Sequence, residues 1–156
     1  MLHFPTRVSH AEAVASLAHH NQVRAYTGAP YIEHPRNVVL KVMTITGDPD
    51  IQAAAWLHDV AKDTDITMEQ IEDWFNPRVA RIVRELTGKP TGAEAQTIRV
   101  CEIVDDMEHV AANDPEYAAV CLPEMLSALI TLDRADEYTR DRAIECCLAL
   151  ILEQEL

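Results

Sequence analysis

The stretch Leu57-His58-Asp59-Val60-Ala61-Lys62-Asp63-Thr64 sets an imidazole, two carboxylates and an ammonium within two helical turns. Asp59 and Asp63 stand i,i+4, so a helix here would turn His58, Asp59 and Asp63 to one cavity. The preceding run, Ala53-Ala54-Ala55-Trp56-Leu57, is apolar on every face and predicts a central helix packed all round. Burying an imidazole and carboxylates in such a place costs several kcal/mol unless a cation joins them. A second imidazole is available upstream in Tyr31-Ile32-Glu33-His34-Pro35, where the proline biases His34 out of the α region and predicts a helix entrance. Two imidazoles and a carboxylate form a mixed N/O donor set suited to Mn, Fe, Co, Ni or Zn more than to Mg or Ca. The donor types do not choose among those five.

Helices are expected almost everywhere around these residues. Ser9-His10-Ala11-Glu12 has the form of a capping box that opens a first helix. Thr27-Gly28-Ala29-Pro30 ends it, and Pro35 sits in the first turn of the next. Asp48 caps a third helix with Pro49 at its first position. Thr67 opens a short helix to Trp74, and Pro77–Thr87 forms another, ended by Gly88. Ala93–Val110 reads as one long surface helix. Asp114-Pro115 starts the next, which Pro123 either kinks or divides, and Thr139–Leu156 is a final amphipathic helix. No alternating strand pattern, internal repeat or linker is visible, so the expected fold is all-α, one domain over residues 1–156.

Composition narrows the partners. A formal net charge of −13 repels nucleic-acid backbones and anionic membranes. No apolar run reaches the ~20 residues of a membrane span, and the opening MLHFPTRVSH is no signal peptide. Cys101, Cys121, Cys146 and Cys147 form no CxxC pair and read as reduced, mostly buried thiols of a cytosolic protein. Oligomeric state is left open.

An isolated histidine followed by "HD" in a later central helix resembles the HD-domain metal-dependent phosphohydrolases, an all-α superfamily built as a helical bundle. The finer resemblance is to RelA/SpoT-type small alarmone (guanosine polyphosphate) hydrolases, the metazoan SpoT homologue among them. Gly28-Ala29-Pro30-Tyr31-Ile32-Glu33-His34-Pro35 is similar to their "GxPYIxHP", and Ala54–Thr67 to their "AAxLHDxxEDTxxT". Phe75, Val79, Ile82, Val83, Leu86 and Thr87 match the motif that follows, and His19–Arg24 resembles "HxxQxR" upstream. The resemblance implies hydrolysis of a nucleotide-like phosphoester or diphosphate, (p)ppGpp 3′-pyrophosphate among the candidates, with one divalent ion, manganese first. It implies His34, His58 and Asp59 as metal ligands. The fourth family ligand, an Asp, falls on Glu124 when Val120–Ala128 is matched to "VKLADKLxN", with Asp133 as an alternative; Ala128 then replaces a substrate-contacting Asn.

The resemblance also implies that Asp63 orients or deprotonates the attacking water and that Arg24 lies near the nucleotide. The family Glu beside that Asp is Lys62 here. Lys62 therefore either grips a phosphate next to Asp63, or marks a hydrolysis-defective module that keeps the fold for nucleotide binding or regulation.

Overall fold

The computed structural model describes residues 6–154, and nine helical segments account for most of them. The first, α1 (Arg7–Ala18), starts earlier than the capping-box reading places it. Thr6, not Ser9, is the cap: its hydroxyl accepts from the Ser9 amide at 3.0 Å and Ser9 reciprocates. A loop then folds back on itself through Arg24 N–H to Ala29 O (2.7 Å) and Tyr31 N–H to Gln22 O (2.9 Å). Gly28 takes φ +69° at its tip, where a side chain would be strained. This closure turns Arg24 toward the protein interior.

The helices α2 (Glu33–Met43) and α3 (Pro49–Leu57) follow, and α3 is capped by Asp48 with Pro49 at its first position, as read from sequence. Gln52 to Leu57 are all buried. His34 lies inside the first turn of α2 rather than before it. The expected continuous helix through His58 and Asp63 is interrupted: α3 stops at Leu57, and a separate turn, α4 (Val60–Asp63), begins after Asp59, whose φ of −100° breaks the helical run. The helices α5 (Met68–Trp74) and α6 (Pro77–Leu86) are capped by Thr67 and Asn76.

The long helix α7 (Ala93–Asn113) corrects the surface reading. It buries Ala95, Ile98 and Cys101 on one stripe and Val100, Met107 and Val110 on another. The first stripe packs into a core formed with α1, α2, α3, α5 and α6. The second packs against α8 (Pro115–Thr131) and α9 (Glu137–Gln154). Pro123 lies within an unbroken α8. Residues 155 and 156 of the expected last helix lie outside the described residues. No strand occurs among the described residues, only an isolated bridge between Val23 and Pro30. Cys101, Cys121 and Cys147 are buried free thiols and Cys146 is exposed.

Candidate metal centre

His34 from α2 and His58 from the end of α3 turn their Nε2 atoms toward each other, 3.2 Å apart. Asp59 Oδ2 lies 3.0 Å from His58 Nε2 and 3.7 Å from His34 Nε2. All three residues are buried. The far side of each ring decides what the near side carries. His58 Nδ1 is 2.7 Å from the Ala55 carbonyl, which can only accept, so Nδ1 holds the hydrogen. His34 Nδ1 is 2.7 Å from Asp105 Oδ2 and holds a hydrogen for the same reason. In the neutral rings both Nε2 atoms therefore carry lone pairs, aimed at each other and at a carboxylate.

Three buried acceptors this close are unfavourable without a shared cation. Ligand atoms about 2.1 Å from one ion lie about 3.0–3.4 Å from one another in octahedral or tetrahedral arrangement; two separations in this cluster, 3.0 and 3.2 Å, fall in that range and the third, 3.7 Å, lies just beyond it. With no cation, a proton must take its place. Burial alone would lower the His58 pKa, but the Asp59 carboxylate overrides it and pushes the ring up to about 9. Burial would likewise raise the Asp59 carboxyl, yet the His58 ring and Tyr31 hold it well below its ordinary range. Tyr31 donates its hydroxyl to Asp59 Oδ2 at 2.6 Å, and burial next to Asp59 keeps that phenol protonated.

The α7 carboxylates Asp105 and Asp106 complete the neighbourhood. Asp105 is buried and accepts from His34 Nδ1, from Arg24 Nη2 at 2.9 Å and from Asn37 Nδ2 at 2.9 Å. That is a carboxylate–histidine pair of the kind that orients a metal-binding ring. Asp106 Oδ1 lies 3.6 Å from His34 Nδ1. Partial burial, aided by Glu102, Asp105 and Asp59, raises the Asp106 carboxyl despite His34.

The structure does not bring Glu124 to this cluster. Glu124 is exposed on α8, and Asp133 is exposed beyond its end. The helix that packs on α2 and α3 is α7, so the acid beside the histidines comes from Asp105 and not from the residue matched to "VKLAD". A signal for it was present: Ile98, Cys101 and Asp105 are spaced i, i+3, i+7, which puts a carboxylate on an apolar stripe. The Arg24 side chain is only 10% exposed and is paired with Asp105. Lys62 and Asp63 are exposed on α4, and the Asp63 carbonyl accepts from Gln22 Nε2 at 2.8 Å. The Asp63 amide still bonds the Asp59 carbonyl at 2.9 Å, so the i,i+4 relation of the two residues survives the helix break.

Residues 11–146 match the family described as HD domain. The chain is 38% identical over 134 residues to the guanosine-3′,5′-bis(diphosphate) 3′-pyrophosphohydrolase of Aquifex aeolicus, covering 83% of this chain and 19% of that protein. It is 34% identical over 128 residues to the mouse (Mus musculus) guanosine-3′,5′-bis(diphosphate) 3′-pyrophosphohydrolase MESH1, covering 79% of this chain and 69% of that protein. The Danio rerio MESH1 is 34% identical over 110 residues, 69% of this chain and 58% of its own length. A solved structure titled "A metazoan ortholog of SpoT hydrolyzes ppGpp and plays a role in starvation responses" superposes with a TM-score of 0.83 over 96% of this chain and 97% of that one. At 22% identity, that likeness shows a common fold.

Proposed function

This chain belongs to the HD-domain family, and from that premise we propose that it is a metal-dependent hydrolase of phosphate esters or diphosphates on a nucleotide. The observation that carries the proposal is the convergence of the two Nε2 lone pairs and Asp59 Oδ2 within 3.7 Å of one another. His34, His58 and Asp59 would hold one divalent ion, with Asp105 orienting His34 from behind and Tyr31 steadying Asp59. Three protein ligands leave positions open, as catalytic rather than structural sites do. A divalent ion there supplies Lewis acidity toward a phosphoryl oxygen and makes water acidic enough to attack near neutral pH.

The remaining work falls to the exposed α4 turn. Asp63 orients the attacking water or accepts its proton. Lys62, beside it, makes no ion pair among the described residues and offers charge to a phosphate. The favoured substrate is guanosine 3′,5′-bis(diphosphate), which the pyrophosphohydrolase relatives are named for. The favoured ion is manganese, the setting cytosolic, and the unit a single HD-type domain over residues 1–156. The net charge of −13 argues against nucleic acid as a partner. Among the described residues no helix is long and apolar enough to cross a membrane.

Metal analysis of the purified protein, with manganese-dependent release of pyrophosphate or phosphate from guanosine tetraphosphate and simple nucleotides, tests the reading. Release by the unaltered chain and its loss in His58→Ala and Asp59→Ala are expected. A protein that binds no divalent metal would overturn it.

A further inference from the structure

The turn α4 carries Lys62 and Asp63, yet little within it holds it in place. It is four residues long, Val60 is its one buried residue, and Asp59 makes no side-chain cap. Its internal bonds are the Asp63 amide to the Asp59 carbonyl at 2.9 Å and the Thr64 amide to the Val60 carbonyl at 3.1 Å. The Thr64 hydroxyl donates to that same Val60 carbonyl at 2.7 Å. So short a helix is marginal without contacts from outside. The Asp63 carbonyl stands in the last turn, where a helix has no amide of its own to offer. Its donor among the described residues is Gln22 Nε2, at 2.8 Å.

Gln22 is itself fixed. Its amide donates to the His19 carbonyl at 2.9 Å, and its carbonyl accepts from the Tyr31 amide at 2.9 Å. The Asp63 carbonyl can only accept, so the Gln22 side chain presents its NH2 there and turns its oxygen away. That oxygen lies 2.7 Å from His19 Nδ1, which therefore carries the hydrogen. The bonds run one way, from His19 to Gln22 to Asp63. His19 is 1% exposed at the end of α1, a helix seated in the core through Ala11 and Ala15. Its Nε2 meets no hydrogen-bond partner among the described residues, so Gln22 is the polar anchor of the ring. The same ring leans on Tyr31, with centroids 4.9 Å apart, and Tyr31 donates to Asp59 Oδ2 at 2.6 Å. One buried histidine touches both the residue that steadies Asp59 and the residue that holds Asp63. An apolar ring could fill its space, but only a donor at Nδ1 decides which way round the Gln22 amide lies.

We propose that His19 and Gln22 are positioning residues of the hydrolytic site. Gln22 tethers α4 to the core through the Asp63 carbonyl, and His19 keys the Gln22 amide so that its NH2 faces that carbonyl. Neither acts on the substrate directly; together they hold the Asp63 carboxylate at a fixed place relative to His34, His58 and Asp59. The long Lys62 side chain can follow a shifted turn, whereas the short Asp63 carboxylate cannot, so loosening the tether costs rate more than binding. The catalytic consequence rests on the hydrolase reading; the tether does not.

Amide hydrogen exchange, metal titration and kinetics on the full chain test the two parts separately. Gln22→Met keeps the length of the side chain without its donor. The Asp63 and Thr64 amides should then exchange about fivefold faster, the factor that one neutral hydrogen bond supports. In the same variant kcat on guanosine 3′,5′-bis(diphosphate) should fall about 10–100-fold, with a smaller rise in KM and divalent-metal affinity within about twofold. His19→Phe, which keeps a ring but loses the donor, should act in the same direction, and His19→Asn, which retains an N–H donor, should recover part of the loss. Unaltered exchange in Gln22→Met would overturn the tether, and this variant decides the matter if His19→Phe does not fold. Faster exchange with an unmoved kcat would overturn the positioning role. Metal affinity that falls in step with kcat would place the loss at the metal cluster and overturn the assignment to α4. Faster exchange in a chain whose unaltered form hydrolyses no nucleotide would support the tether and sink the hydrolase reading alone.

Discussion

His34 and His58 share a tautomer because each ring meets an obligate acceptor on its far side, Asp105 Oδ2 at 2.7 Å and the Ala55 carbonyl at 2.7 Å. That arrangement makes the roles of the α7 and α8 acids separable. Asp105→Asn keeps the shape but weakens the hold on His34, and should lower divalent-metal affinity by about 10–100-fold. Glu124→Gln, altering an exposed side chain, should leave affinity unchanged. His58→Ala should abolish binding, whereas His109→Ala should not, since His109 Nε2 is engaged 2.9 Å from the Ala25 carbonyl. Metal titration followed by calorimetry checks all four, and an Asp105→Asn protein with full affinity would refute the orienting role. Lys62 decides how the α4 turn is used. If its ammonium serves phosphate already in the ground state, Lys62→Ala raises KM more than it lowers kcat. Activity on guanosine tetraphosphate that appears only in Lys62→Glu, with the unaltered chain inert on every nucleotide, would instead mark a binding module.

At the scale of elements, the junction between α3, α6 and α7 is held by charge. Arg78 Nη1 pairs with Asp48 at 2.8 Å and with Asp50 at 3.3 Å, and its Nη2 pairs with Glu94. Arg81 bridges Glu85 at 2.9 Å and Glu94 at 2.5 Å. Desolvation would raise the Asp48, Glu85 and Glu94 carboxyls, but the arginines, together with backbone amides at Asp48 and Glu85, hold all three below their ordinary values. A depressed carboxyl holds fewer protons folded than unfolded. Its contribution is therefore present above the unfolded pKa, about 4, and is lost as pH falls through the folded value. The urea midpoint should fall between pH 6 and pH 3, and Glu94→Gln should shrink that fall. At pH 7 the same substitution should cost about 1 kcal/mol or less, because the pairs are partly exposed. An identical acid profile in Glu94→Gln would show that the network contributes nothing.

For the whole molecule, the question is whether two apolar clusters act as one. Ile98 and Cys101 belong to the cluster with α1–α3, and Met107 and Cys147 belong to, or pack in, the cluster with α8 and α9. Both stripes are on α7, so neither cluster can lose its packing without exposing the other side of the same helix. Ile98→Ala should cost about 2–5 kcal/mol and lower a single shared transition. Thiol labelling reads each cluster separately. Burial pushes the Cys101 thiol up to about 12 and raises Cys121 and Cys147 as well, while Cys146 is exposed. Only Cys146 should react in the native protein, and Cys101 and Cys147 should become reactive over one urea range that matches loss of helical signal. Separate ranges would show that the clusters unfold independently.

The residue order by itself determined the helical class, most helix boundaries and the pairing of His34 with His58 and Asp59. Those depend on local rules: Asp48, Thr67 and Asn76 cap their own helices, and the apolar run from Ala53 to Leu57 has nowhere to go but the core. The remaining acid was decided by packing. In sequence, α7 carries enough charge to read as a solvated face, and a matched motif pointed to Glu124 on α8. Only the fold shows that α7 lies between both clusters and delivers Asp105 to His34, Arg24 and Asn37, three donors that make its burial tolerable. Which carboxylate stands behind a metal-binding ring is a relation between helices distant in the chain, and local propensity does not encode it.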